Sequence, residues 1–157
     1  MKNFIVIIVL LILVSCRKES SYSTTNFICN EANHLVKIIY YKDGLVKSDL
    51  TIGSIGSCNL VYTSNGFGKG NASNYLNSTI DMDSAIVIFD NNIKAIHYSY
   101  NKIGSNPKAI IFGNSRNIFG GSSSGGWVNR IVSETKHHIE TELKYTFIEQ
   151  DFVEAKK

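Results

Sequence analysis

Ile139-Glu-Thr-Glu-Leu-Lys-Tyr-Thr-Phe147 alternates along its whole length. Ile139, Thr141, Leu143, Tyr145 and Phe147 share one face of an extended chain, and Glu140, Glu142, Lys144 and Thr146 share the other. Successive strand side chains point to opposite faces, so this period of two predicts a half-buried strand with its apolar face inward. On the amino-terminal side, Lys136-His137-His138 reads as the turn into a neighbouring strand, Trp127 to Thr135. On the carboxy-terminal side, Gln150-Asp-Phe-Val-Glu-Ala155 has helical spacing over only two turns, giving a short terminal helix.

The rest of the chain repeats this strand-and-turn grammar. Leu35-Val-Lys-Ile-Ile-Tyr-Tyr41 is rich in β-formers, and Lys42-Asp43-Gly44 turns it into Leu45 to Ile52 as a hairpin. Ser84-Ala-Ile-Val-Ile-Phe89 is a continuous apolar run, expected as a central strand buried on both faces, with Asp90-Asn-Asn92 turning into Ile93 to Tyr100. Phe27 to Cys29, Cys58 to Thr63 and Ala109 to Phe112 complete the set. Ser64 to Asn77, Asn101 to Pro107 and Gly120 to Gly126 read as loops. About eight to ten short strands without a long helix predict an all-β fold, an antiparallel β-sandwich, Ig-like or related. A closed up-and-down β-barrel is the alternative.

Composition fits one such domain. The 157 residues carry 16 basic and 13 acidic side chains, a surplus too small to predict a nucleic-acid partner. One proline against 12 glycines places the turns on residues that tolerate left-handed backbone.

The amino terminus is of another kind. Lys2 precedes the apolar run Phe4 to Val14, which is shorter than the roughly 20 apolar residues a spanning helix needs, and polar Arg17-Lys-Glu-Ser-Ser21 follows. This is a secretory signal pattern. Leu13-Val14-Ser15-Cys16 resembles the lipobox of bacterial lipoproteins: two residues, a small one, then the cysteine that is lipidated. The resemblance implies cleavage before Cys16, a diacylglyceryl thioether on its sulfur and a further acyl chain such as palmitate on the new amino terminus. It implies a membrane partner through that anchor, in the bacterial cell envelope and by expectation the outer membrane, with the face left open. Residues 1–15 are then signal, 16–25 a lipidated flexible tether and 26–157 a single β-rich domain. Asn33-His-Leu-Val-Lys-Ile-Ile-Tyr40, Thr51-Ile-Gly-Ser54, Asp83-Ser-Ala-Ile-Val-Ile-Phe-Asp90 and Tyr145-Thr-Phe-Ile-Glu-Gln-Asp-Phe152 with Ala155 further resemble a group of small envelope lipoproteins of unknown function. That implies a shared β fold and no particular activity.

Candidate sites follow from residue chemistry. With Cys16 lipidated, Cys29 and Cys58 remain, and export permits a bridge between them; two separately buried thiols are the alternative. Phe67, Tyr75, Phe119 and Trp127 lie at loop ends, where they could form a binding surface, although a Trp127 that plugs the end of the core is the favoured reading. Ser84, between Asp83 and Ala85, resembles the acceptor of some O-glycosylated envelope proteins. Asp81 with Asp83, and Glu140 with Glu142, place two carboxylates at alternating spacing, as acid–base sugar hydrolysis with groups roughly 5 to 9.5 Å apart would use; a solvated strand face, with Lys144 beside the glutamates, is the favoured reading. Adjacent His137 and His138 would point to opposite faces of a strand, and His34 and His97 lack ligand-spaced neighbours, so neither a metal nor a cofactor is expected. Gly66-Phe-Gly-Lys-Gly70 lacks the Gly-Lys-Ser/Thr of a phosphate loop.

These residues favour a non-enzymatic envelope lipoprotein that presents loops to a protein or glycan. An inhibitor or immunity-type lipoprotein and, behind it, a small hydrolase using Asp81 and Asp83 are the alternatives.

Overall fold

A computed structural model of the chain describes residues 19–68, 81–100, 106, 108–110, 116–120 and 126–157. Its strands are β1 (Ser21–Asn30), β2 (Val36–Lys42), β3 (Leu45–Ile52), β4 (Cys58–Phe67), β5 (Ser84–Phe89), β6 (Ile93–Tyr98), β7 (Trp127–Glu134) and β8 (His138–Phe147), with helix α1 (Glu149–Ala155) last. They form two four-stranded sheets, ordered β4-β1-β8-β7 and β3-β2-β5-β6. The fold is a β-sandwich, and the described strands do not close into a barrel.

The alternation in β8 sets the core. Thr141, Leu143, Tyr145 and Phe147 are buried, and Val36, Ile38, Tyr40, Ala85, Val87 and Phe89 from the other sheet join them with Ile28. Each fully buried aliphatic or aromatic side chain of this kind contributes about 1.5–3 kcal/mol. The rings meet edge to face, with Tyr145 4.9 Å and Phe89 5.9 Å from Phe147, the arrangement favoured by ring quadrupoles.

Turn chemistry fixes the hairpins. Asp43 and Gly44 have φ of 52° and 78°, and Asp90 and Asn91 have φ of 48° and 62°. Two successive positive φ values match the twist of paired strands, which is why Asp-Gly and Asp-Asn stand there. Asp43 N–H also donates to Asp83 Oδ2 at 2.7 Å, so the β2–β3 turn is held from the start of β5.

Four expectations are corrected. Strand β1 starts at Ser21 and pairs from its first residue with Phe67 and His138, so residues 21–25 are strand and not tether. Thr24 and Asn26 face the interior despite being polar, which hid this strand from a search for apolar alternation. Second, the sandwich is not wholly antiparallel. β1 runs parallel to β8 over its whole length, while every other strand pair is antiparallel. Third, β5 is central but not buried on both faces: Ile86 and Ile88 are half-buried on the outer side, covered in part by Ile39 and Ile96, which lie opposite Ile86. Fourth, of Ala109 to Phe112 the described residues show one parallel bridge, Ile110 to His97, because Ile110 alone exchanges backbone bonds with β6; Ile111 and Phe112 lie outside the described residues.

Three side-chain devices pin the sheets and helix together. Cys29 and Cys58, opposite each other in the β1–β4 register, form a disulfide with Cα atoms 4.0 Å apart. Fully buried Asn30 donates its amide to the carbonyls of His34 at 2.7 Å and Gly53 at 2.9 Å, and accepts from Ala32 N–H at 3.0 Å. Arg116 forms a two-point pair with Asp151 of α1 and also donates to Thr146 O at 2.7 Å. Asp151 in turn accepts the Ile148 N–H at 2.9 Å, satisfying one free donor at the helix start. Among the described residues no helix is long and apolar enough to cross a membrane.

Candidate functional site

The four aromatic candidates part company. Phe67 is 81 % exposed, whereas Phe119 and Trp127 are 0 % and 3 % exposed and belong to the core. Trp127 Nε1 donates to Ile118 O at 3.0 Å and its ring packs edge-on to Tyr145 at 5.4 Å. Phe119 and Trp127 therefore offer no binding surface, since both side chains are buried in the core with Ile118. Tyr75 lies outside the described residues, as do Cys16 and the signal.

Ser84 is buried and its hydroxyl donates to Asp83 Oδ1 at 2.6 Å. It lies on the outer face of β5 between Tyr41 and Tyr98, with 8 % of its surface exposed. Asp81 and Asp83 are likewise separated in role. Asp81 is exposed and paired with Lys42 at 2.8 Å; Asp83 is buried and accepts from the β2–β3 turn and Ser84. Neither faces a shared reaction space.

A Ser–His–carboxylate sequence does occur in space. Ser21 Oγ lies 2.8 Å from His138 Nδ1, and His138 Nε2 lies 3.6 Å from Glu140 Oε1. The second distance is beyond hydrogen-bond reach. The nearby backbone donors, Ser21 N–H and Gly68 N–H, are committed to His137 O and Ser20 O, leaving neither for an oxyanion. This cluster fastens the strand ends.

His34 sits in a different environment. Its ring stacks on Phe152 at 3.4 Å, Nδ1 lies 2.5 Å from Asp90 Oδ2 and Nε2 lies 3.2 Å from Glu149 Oε1. Burial opposes protonation, but the hydrogen bonds to Asp90 and Glu149 outweigh it and raise the pKa above 6.5. With both nitrogens facing carboxylates, the ring clasps Asp90 and Glu149 together. His97 is the reverse: burial first, then Arg116, push its pKa down to about 3. It stays neutral and accepts Ile118 N–H at Nδ1, 3.3 Å away, so its proton is on Nε2. Among the described residues no group of three or more His, Cys, Asp or Glu could hold a metal ion.

What the fold does build is a cleft. Lys94 from β6, Lys108 from the segment bridged to β6, and Lys156 and Lys157 beyond α1 line a concavity of about 520 Å³ floored by Ala95, Ala109, Ile110 and Ala155. Ile110 N–H donates to Ile96 O at 2.7 Å and Tyr98 N–H to Ile110 O at 3.1 Å, fixing the segment against β6. Lys108 Nζ donates to Lys157 O at 2.7 Å, and Lys156 Nζ stands 4.0 Å above the Phe152 ring. Glu154 is the one acid in the lining, and it accepts from Gln150 at 2.8 Å. The lysines are up to 63 positions apart in sequence, so no local motif could have announced them; the signal that was available is the terminal Lys156-Lys157 pair.

No protein-family model, curated protein or solved structure matches the chain.

Proposed function

We propose that this chain is a lipid-anchored protein of the bacterial envelope, held at Cys16 and by expectation in the outer membrane, whose β-sandwich is a non-enzymatic binding module. Its ligand is a protein or a glycan. The observation that carries the reading is the ligand-sized cleft at β6, mounted on a scaffold pinned by the Cys29–Cys58 bridge and the Arg116–Asp151 pair. Preformed concavities of several hundred Å³ on rigid scaffolds are the usual sites of recognition. The clustered polar residues elsewhere have structural partners, which supports binding over catalysis.

An inhibitor or immunity-type role is favoured by a different observation. The outer face of β2, β5 and β6 carries Ile39, Ile86 and Ile96 in one row, flanked by Tyr41 and Tyr98, a surface suited to a single protein partner.

Recovery of the lipidated protein from cross-linked envelope fractions tests both. Glycan, or several proteins at low stoichiometry, supports the display module; one stoichiometric protein supports the inhibitor; an empty pull-down overturns both. Palmitate labelling that persists in Cys16→Ser would refute the anchor.

A further inference from the structure

We infer that the cleft lined by Lys94, Lys108, Lys156 and Lys157 binds a phosphorylated saccharide carrying at least two phosphate groups. The inference rests on the binding-module reading and names the ligand class of its site.

Charge is the first reason. The cleft has four lysines against Glu154, while the rest of the chain after the signal, which takes Lys2 with it, has 11 basic and 12 acidic residues. The cleft is therefore a basic concavity on a chain that is otherwise close to neutral. Like charges so placed repel, and a multivalent anion relieves that repulsion.

The competing account is that lysines near a helix C-terminus complement its partial negative charge. It covers Lys108, which holds the Lys157 carbonyl oxygen, and the adjacent Lys156. It does not cover Lys94, which comes from a strand, nor a cleft between strand and helix. Side-chain chemistry agrees with phosphate. The charged donors of the lining are all ammonium groups, which act as point charges, a role in which lysine is a common phosphate binder. Size narrows the ligand. About 520 Å³ exceeds what a bare phosphate fills, and the small floor residues Ala95, Ala109 and Ala155 leave room for a sugar body.

The phosphosugar could be free or the headgroup of a lipid, and the test separates these sources. The full chain in detergent is titrated calorimetrically with fructose 1,6-bisphosphate and with unphosphorylated fructose. Its flotation is then followed with phosphatidylcholine vesicles, plain or doped with a bisphosphorylated disaccharide lipid; Cys16→Ser protein is used there so that the anchor does not dominate. Saturable binding of the bisphosphate, absent with fructose, is expected. It should weaken with salt, since exposed charges are screened over about 8 Å at physiological ionic strength. Binding in the soluble arm only identifies a free ligand, and binding to doped vesicles identifies a headgroup; both support the inference.

The triple variant Lys94→Gln, Lys156→Gln, Lys157→Gln should lose about tenfold or more in affinity, a decade being ~1.4 kcal/mol. Its thermal midpoint should change little, because all three side chains are exposed and the contact of Lys156 with the Phe152 ring is the packing lost. Lys37→Gln with Lys47→Gln, on the β2–β3 hairpin, should bind normally. Equal binding of fructose, no binding in either arm, or a triple variant that binds like the parent would overturn the inference. If the envelope pull-down still returns a ligand in that case, the binding-module reading survives without it.

Discussion

Reducing the Cys29–Cys58 bridge should cost the domain a large part of its stability. The two residues are 29 positions apart, and in the chain-entropy model closing a loop of about that length restricts the unfolded state by about 3.6 kcal/mol. For a domain of about 140 residues, with an unfolding entropy near 0.3 kcal/mol/K, that corresponds to a fall of roughly 12 °C in Tm. Cys58 is exposed while Cys29 is buried, so a reductant can reach the bond from the β4 side without prior unfolding. The assay is urea and thermal unfolding by circular dichroism, with and without a phosphine reductant, beside Cys29→Ala/Cys58→Ala. Reduced protein keeps both sulfur atoms, so its loss isolates the cross-link; the alanine pair should lose somewhat more, because the Cys29 side chain also packs. A loss below about 1 kcal/mol on reduction would refute the loop-closure reasoning.

Other perturbations test the remaining structure. Stability should peak near pH 6.5. The raised pKa of His34 gives a contribution present below 6.5 and lost as pH rises through its folded value, and the depressed pKa of His97, about 3, gives a loss as pH falls from 6.5 toward 3. Thermal midpoints across pH would show His34→Gln flattening the alkaline limb and also removing the contribution of Asp90, whose pKa His34 lowers, to the acid limb; an unchanged alkaline limb would refute the clasp. Trp127→Ala should destabilise by about 3–5 kcal/mol, and Phe67→Ala by about 0.5 kcal/mol or less; similar values in urea titrations would mean that the buried and exposed assignments are wrong. Asn26 is buried with neither side-chain polar atom hydrogen-bonded to protein, so Asn26→Leu should raise stability by about 1 kcal/mol or more, and a loss in the same titration would contradict this.

The parts of the fold legible in the sequence are those where one residue pattern determines one local outcome. Strict alternation from Ile139 to Phe147 could only be a half-buried strand, and Asp43-Gly44 could only be a tight turn between paired strands. Strand β1 was misread because its inward positions include Thr24 and Asn26, so polarity hid the period. The outward half-exposure of Ile86 and Ile88 was invisible because an apolar run does not say which of its faces another layer covers. The burial of Trp127 agrees with its reading as a plug of the core, while that of Phe119 was hidden by glycine-rich neighbours that look like a surface loop. The basic cleft was illegible for a simpler reason: its lysines come from a strand, a bridged segment and the end of a helix, and only tertiary packing brings them together.

The parallel pairing of β1 with β8 bears on how the molecule comes into being. β1 is the first of the described strands to leave the ribosome, and its central partner β8 is the last. Until His138–Phe147 arrives, Ser21–Asn30 can pair with β4 on one flank and keeps an open edge on the other. Contacts so distant in sequence make assembly slow and leave that edge exposed meanwhile. A chain halted before residue 138 is therefore no smaller version of the sandwich. Its middle strand lacks a neighbour, so the sheet can close only once the last strand has been made.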